Sequence, residues 1–410
     1  MRIRHGITAG TLVFFASIAV AGPADWPHWR GPNHDGKSAD QGLLREWPES
    51  GPALVWKVDG IGKGFSSVAV SDDLVFITGD TKNELVALAF DLEGEPQWNK
   101  RVDKAYEGSP EGSRASPTVA GENVYILSGH GTVACLDART GAPQWSRKAS
   151  EFGGRPGGWG YAESVLITGN LAIFKPGGER CIVALDRSTG ETVWESSGFT
   201  AGPEYGSCLP VDFEQTPLIV TGTTEGLVCV DARTGKKLWL NPWSRHNTAN
   251  CPTPVSADGH IFWANGYGQG GICLRLSRSE GEIVAEEVWT TRNMDCHHGG
   301  YVIHGGHVYG NHANGWACLD LKTGEMKWRE RGVGKGSLCW ADGMLILFGE
   351  NGGKVGLGTC SPDRLEMRGT FNVEGSGPSW AHPVVAGGRL YVRYDDHLYC
   401  FDVKGEGGGQ

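Results

Sequence analysis

The run DCHHGG, Asp295 to Gly300, sets a carboxylate, a thiol and two imidazoles side by side, and His304, His307 and His312 follow closely. These side chains are common metal donors and common agents of proton transfer. Further groups with chemistry in them stand at Arg114, Tyr161 and Glu163, Asn250, Lys335, and Trp380 with His382. Brought together, Arg114, Tyr161, Glu163, His297, His298, Lys335, Trp380 and His382 would make a mixed-charge ring suited to an anionic ligand or a tuned base. The plain alternative is a hydrated channel whose polar groups pair with one another. A calcium ion needs several oxygen donors, and Glu163, Asn250 and Asp295 are the candidate set. Trp159 or Trp380 offers a flat face to a planar ligand. Neighbours on a strand face opposite ways, so His297 and His298 are not expected to share a face unless the strand bulges.

Whether these residues meet depends on the frame that carries them. A phrase of the form Asp-x-x-Thr-Gly-x-x-x-Trp returns as DARTGAPQW from Asp137, DRSTGETVW from Asp186, DARTGKKLW from Asp231 and DLKTGEMKW from Asp320. Trp56, Trp98, Trp145, Trp194, Trp239, Trp289 and Trp328 mark the ends of units. A period of about 40–50 residues, with four short strands per unit, signals a β-propeller. The unit from Ser116 reads SPTV, VYILSG, TVACLD and PQW for its four strands, with the Asp-Thr-Gly phrase as the turn before the last. The final unit has only three strands, ending near Asp402, while ALVWKV at 53–58 is an outer strand without a unit. The expected fold is therefore all-β, an eight-bladed propeller of four-stranded antiparallel blades over 53–403, closed by the N-terminal strand. Seven blades is the alternative, and would require 336–373 not to be a blade. In either ring the starts of the inner strands line the channel, and these candidates fall there.

The rest of the sequence bounds the partners. Residues 1–21 have a basic start, an apolar run from Thr11 to Val20 and a small-x-small site, which reads as a signal peptide cleaved after Ala21. No cysteine follows that site, so no lipid anchor is expected, and no later segment is apolar enough to span a membrane. Export to the periplasm or beyond follows. Net charge of −10 argues against nucleic acid as a partner. Residues 22–52, rich in Pro, Gly and Trp, are expected to pack across the propeller, and 404–410 to form a flexible tail. The 11 cysteines include no Cys-x-x-Cys and no adjacent pair, which leaves a zinc ribbon, a redox dithiol and c-type haem attachment without support. Cys135, Cys229, Cys273, Cys318 and Cys400 share one repeat position, expected to be a small buried apolar slot.

The repeated phrase and strands such as SPTVAGENVYILSGHGTVACLD resemble the pyrroloquinoline quinone (PQQ) type propeller repeat. DWPHWRGPNHDG from Asp25 and SWAHPVVAGGRLYVRYDDHLYCFDV from Ser379 resemble secreted PQQ-like repeat proteins of unassigned function. The resemblance implies the fold shared by quinoprotein dehydrogenases and by the non-catalytic scaffold BamB, and does not choose between them. The vicinal cysteine pair of the quinoprotein alcohol enzymes is missing. The expected function is an exported, non-catalytic module that binds a small anionic ligand or an envelope protein through the channel-mouth rim. The alternative is an oxidoreductase using PQQ and Ca2+ on alcohols or sugars.

Overall fold

The computed structural model describes residues 25–405, so the expected signal peptide, 1–21, and most of the expected tail lie outside the described residues. Eight four-stranded antiparallel sheets form the ring. In the second blade the strands run Thr118–Ala120, Asn123–Leu127, Thr132–Asp137 and Pro143–Lys148, as the repeat implies. The last blade contains Val384–Ala386, Arg389–Tyr394 and His397–Asp402, and Ala53–Asp59 pairs antiparallel with the third of these to complete it. That pairing removes the exposed edge an open ring would leave. Residues 336–372 form a full blade from Gly336–Ala341 to Met367–Asn372, which excludes the seven-bladed count.

The repeated phrase builds the joint between blades. The Asp137 carboxylate accepts from the amides of Arg139 and Thr140, at 3.1 and 2.8 Å, and from the Thr140 hydroxyl at 2.7 Å, which folds the turn. The tryptophan of the preceding blade then docks on that turn. Trp98 Nε1 donates to Ala138 O, Trp145 to Arg187 O, Trp194 to Ala232 O and Trp289 to Leu321 O, all at 2.9–3.0 Å. The indole lies on the turn glycine: a Cβ on Gly235, whose φ is +70°, would stand 2.4 Å from Trp194. Glycine is required there twice over, by conformation and by space. Trp239 breaks the pattern, and its indole nitrogen is buried without a partner. It faces the fifth blade, where Gly270–Ser279 and Glu282–Thr291 stay paired past the level of the usual turn, so cross-strand bonding takes up the backbone groups.

The shared cysteine slot lies opposite these tryptophans. Cys135 pairs with Trp145, Cys229 with Trp239, Cys273 with Trp289, Cys318 with Trp328 and Cys400 with Trp56 across the third and fourth strands. All five cysteines are fully buried. Ala184 fills the slot opposite Trp194.

The segment before the first strand is tied to several blades. Trp26 exchanges backbone bonds with Val70, Pro27 O accepts from Val119, Ser38 donates to Trp340 O, and Leu44 donates to Val403 O. Arg30 is almost wholly buried and donates to the carbonyls of Tyr301 and Asp35. This stretch therefore enters the ring as well as crossing its surface.

Candidate functional site at the channel mouth

A chain of hydroxyls sets the register of the inner strands. His382 N donates to Ser67 Oγ, Ser67 N to Ser116 Oγ, Ser116 N to Ser164 Oγ, Ser164 N to Ser207 Oγ, and Ser207 N to Thr253 Oγ1, at 2.8–3.0 Å. The Trp29 indole ends the chain by donating to Thr253 Oγ1 at 3.1 Å. Backbone amides at the crowded centre are satisfied by a small side chain from the next blade. The same position is Gly300 in the sixth blade, where the space is filled by Arg30 and His382.

Two residues earlier on each blade, the side chains turn to the mouth. They are Phe65, Arg114, Ala162, Tyr205, Cys251, His298, Lys335 and Trp380, and all are half-buried. Seven of these, all but Lys335, line a cavity of about 200 Å³ together with Trp29, Trp159, Tyr267, His297 and His382. Its wall is rich in aromatic rings and carries few charged groups, as ligand sites generally do.

This register corrects several expectations. Tyr161 and Glu163 flank Ala162, and a shift of one residue reverses the face. Tyr161 is buried in an inter-blade core, with its hydroxyl donating to Pro176 O at 2.9 Å. Glu163 is also buried. It accepts from the Lys175 amide at 2.5 Å and lies 3.9 Å from the Lys175 ammonium, and burial pushes its carboxyl up to about 7. Asn250 is the buried neighbour of Cys251 and is engaged by Ser244, Glu204 and Thr223. Asp295 accepts from the Gly268 amide at 3.1 Å. Glu163, Asn250 and Asp295 thus have separate partners, and the structure does not gather them into an oxygen-donor set. His297 and His298 do share a face, with ring centroids 3.7 Å apart. They precede the strand Tyr301–His304 and sit in a bend, so strand alternation does not govern them.

The remaining candidates meet. Trp380 stacks on His298 at 4.2 Å and an interplanar angle of 23°, and donates its indole N–H to Glu350 Oε1 at 3.0 Å. Lys335 lies 2.7 Å from Glu350 Oε2 and donates to His297 Nδ1 at 3.2 Å. Tyr267 bonds His297 Nε2 at 3.0 Å. Burial lowers His297 to about 4 and His382 to about 3, and holds His298 well below its usual value. All three imidazoles are therefore neutral near pH 7. Arg114 stacks on Tyr106, 3.9 Å from the ring centroid, and gives its N–H groups to the carbonyls of Trp159, Gly112 and Pro110. Among the described residues no carboxylate is ion-paired with it.

Sequence reasoning missed Phe65, Tyr205, Cys251, Tyr267 and Trp29. The signal that finds Phe65, Tyr205 and Cys251 is the small hydroxyl two residues before the inner strand in each of the first five blades, as in Ser116-Pro117 and Thr253-Pro254. Trp29 carried no such signal, because it enters from outside the repeats.

A family described as outer membrane protein assembly factor BamB matches residues 41–252 and 89–330. The chain belongs to that family. BamB of Kangiella koreensis is 28% identical over 210 residues, covering 50% of this chain and 49% of that protein. BamB of Shewanella oneidensis is 28% identical over 184 residues, 42% of this chain and 43% of that protein. The chain thus matches about half the length of these BamB relatives. Among solved structures, BamB from Moraxella catarrhalis is similar with a TM-score of 0.61 at 17% identity, over 86% of this chain and 97% of that one. Quinohemoprotein alcohol dehydrogenase from Comamonas testosteroni is similar with a TM-score of 0.66 at 14% identity, over 94% and 82%. Such identities show the fold alone, and BamB and the dehydrogenase share it.

PQQ with Ca2+ can be tested against the residues present. The mouth offers stacking faces and the Arg114 cation, which suit a flat anion. It does not offer the oxygen donors a calcium ion requires, since Glu163 and Asn250 are buried away from the cavity and held by other groups. The calcium half of that pair does not fit.

Proposed function

We propose that this BamB-family chain is an exported, non-catalytic scaffold whose channel mouth grips an acidic or aromatic group of an envelope protein partner. The observation that carries this reading is Arg114, a cation at an aromatic cavity whose donors meet only backbone carbonyls. An incoming carboxylate would supply the charge that those carbonyls lack, in a setting partly shielded from water. A small anionic ligand would use the same cation. The BamB relatives support a protein-interaction role in the cell envelope. Residues 1–21 would direct export, and the mature protein is expected to begin at Gly22, which mass spectrometry of the secreted form reads directly.

The exposed Trp159 ring on the cavity wall favours a second reading, a quinoprotein oxidoreductase acting on alcohols or sugars. One set of experiments separates the two. Wild type is expected to capture an envelope protein that Arg114→Ala and Trp380→Ala capture at least tenfold less. Equal capture by the Arg114→Ala protein would end the scaffold reading. Titration with PQQ and Ca2+ is expected to give no dye reduction over alcohols or sugars, whereas calcium-dependent turnover would establish the second reading instead.

A further inference from the structure

Cys251, at the start of the fifth blade, and His297 and His298, at the start of the sixth, present a sulfur and two nitrogens that all lie within 4.8 Å of one another. We infer that these three residues form a site for a zinc-class transition-metal cation, with a fourth coordination position open to the channel mouth. It goes beyond the scaffold reading, because the ion would bind to this chain alone.

The donor types suit the ion. Thiolate and imidazole are ligands for zinc and copper, whereas calcium and magnesium take oxygen. Zinc bonds of about 2.3 Å to sulfur and about 2.0 Å to nitrogen place tetrahedral donors roughly 3.3–3.6 Å apart. The three atoms therefore need to close by about an ångström, within the reach of side-chain rotation about χ1 and χ2. Two blades supply the donors, so the ring holds their backbones at a set distance.

The surroundings are those of a supported ligand set. His298 Nδ1 is buried and has no hydrogen-bond partner, so it carries a lone pair or a proton that nothing in the chain meets. Its ring is fixed by the stack on Trp380, which Glu350 anchors through the indole N–H. Tyr267 holds His297 at Nε2, while Lys335 donates to Nδ1, the lone pair that the ion would take. Lys335 also lies 2.7 Å from Glu350, so it can release His297 Nδ1 and remain paired. Outer groups that hold a ligating imidazole in this way are a regular part of metal sites. Cys251 is a free, half-buried thiol on the cavity wall. When the ion binds, the thiol gives its proton to solvent and a sulfur–metal bond forms, with no change of oxidation state.

The test uses untagged, chelator-treated full-length mature protein. Zn2+ is titrated against a chromophoric chelator, and Co2+ is added separately to read thiolate-to-metal absorption. Wild type is expected to bind about one equivalent. Cys251→Ser and His298→Gln should each weaken binding at least tenfold, and the cobalt–thiolate band should vanish in Cys251→Ser. Cys360→Ser, a half-buried thiol outside the cavity, should bind as wild type does. Melting curves of each apo variant check that the ring is intact. Stoichiometric binding unchanged in both ligand variants, or no binding at excess Zn2+, would overturn the site. That failure leaves the scaffold reading standing, while equal partner capture by Arg114→Ala alongside intact zinc binding would do the reverse.

Discussion

The outer belt of the ring and its inner mouth follow opposite rules. At the belt, equivalent positions repeat one solution: an aspartate folds a turn, a glycine makes room, and the neighbouring tryptophan lies on it and donates to its carbonyl. At the mouth, the eight equivalent positions hold a phenylalanine, an arginine, an alanine, a tyrosine, a cysteine, a histidine, a lysine and a tryptophan. The backbone places both sets equally well. Blade docking selects the first set, because most joints face the same problem, and the joint at Trp239, which meets a longer hairpin, departs from it. The second set differs residue by residue because it meets a common space that is not itself symmetric. Repetition therefore marks the frame, and departure from repetition at a fixed register marks the site.

The strongest way to break this comparison is to damage the belt. Trp194 is buried, lies on Gly235 and donates to Ala232 O. Trp194→Ala should cost about 3–5 kcal/mol in urea unfolding, the range for removing a large core aromatic. Gly235→Ala should cost about 2 kcal/mol, through its positive φ and the clash with that indole. Neither change should abolish metal binding in protein that remains folded.

An intermediate effect separates the buried histidines near the mouth from the belt. Burial lowers His28 to about 4, and His34 and His382 to about 3. An imidazole depressed in the fold contributes stability that is complete above its unfolded value, about 6.5, and is lost as pH falls towards the folded value. Glu163, raised to about 7 by burial, contributes with the opposite sign between its unfolded value and 7. The useful quantity is thus the difference between wild type and His382→Gln. That difference should shrink by about 1.4 kcal/mol per pH unit below 6.5, read from urea midpoints at pH 7 and 5.5. A difference independent of pH would mean that His382 is not held neutral.

The smallest effect sharpens the belt itself. Trp194→Phe removes a hydrogen bond, whereas Trp239→Phe removes an indole nitrogen that has no partner. The first should cost about 1 kcal/mol more than the second in unfolding free energy.

The sequence carried the ring and part of the candidate site at different strengths. The Asp-Thr-Gly phrase defined the blades, because turn geometry and tryptophan docking leave few residue choices. The split last blade followed from Trp56 lacking a unit. At the mouth, Arg114, His298, Lys335 and Trp380 were found, since their types stand out where a hydroxyl-proline pattern would be plain. Tyr161 and Glu163 in place of Ala162, and Asn250 in place of Cys251, were errors of one residue. Polar side chains drew the assignment towards positions that are in fact buried and internally paired, and a strand start has too few residues for its alternation to correct this. His297 was assigned to a strand that begins four residues later. Trp29 required the tertiary path of the N-terminal segment.

The central claim is that the mouth, and not the belt, meets the partner. Tyr267 at the mouth is 53% exposed and Val193 on an outer strand is 51% exposed, so the two positions are matched in access. A photo-crosslinking residue at each, irradiated in intact cells, compares them directly. The account predicts a discrete protein adduct from position 267 that is lost with Arg114→Ala, and none from position 193. An adduct from 193 alone, or equal adducts from both that ignore Arg114→Ala, would contradict it.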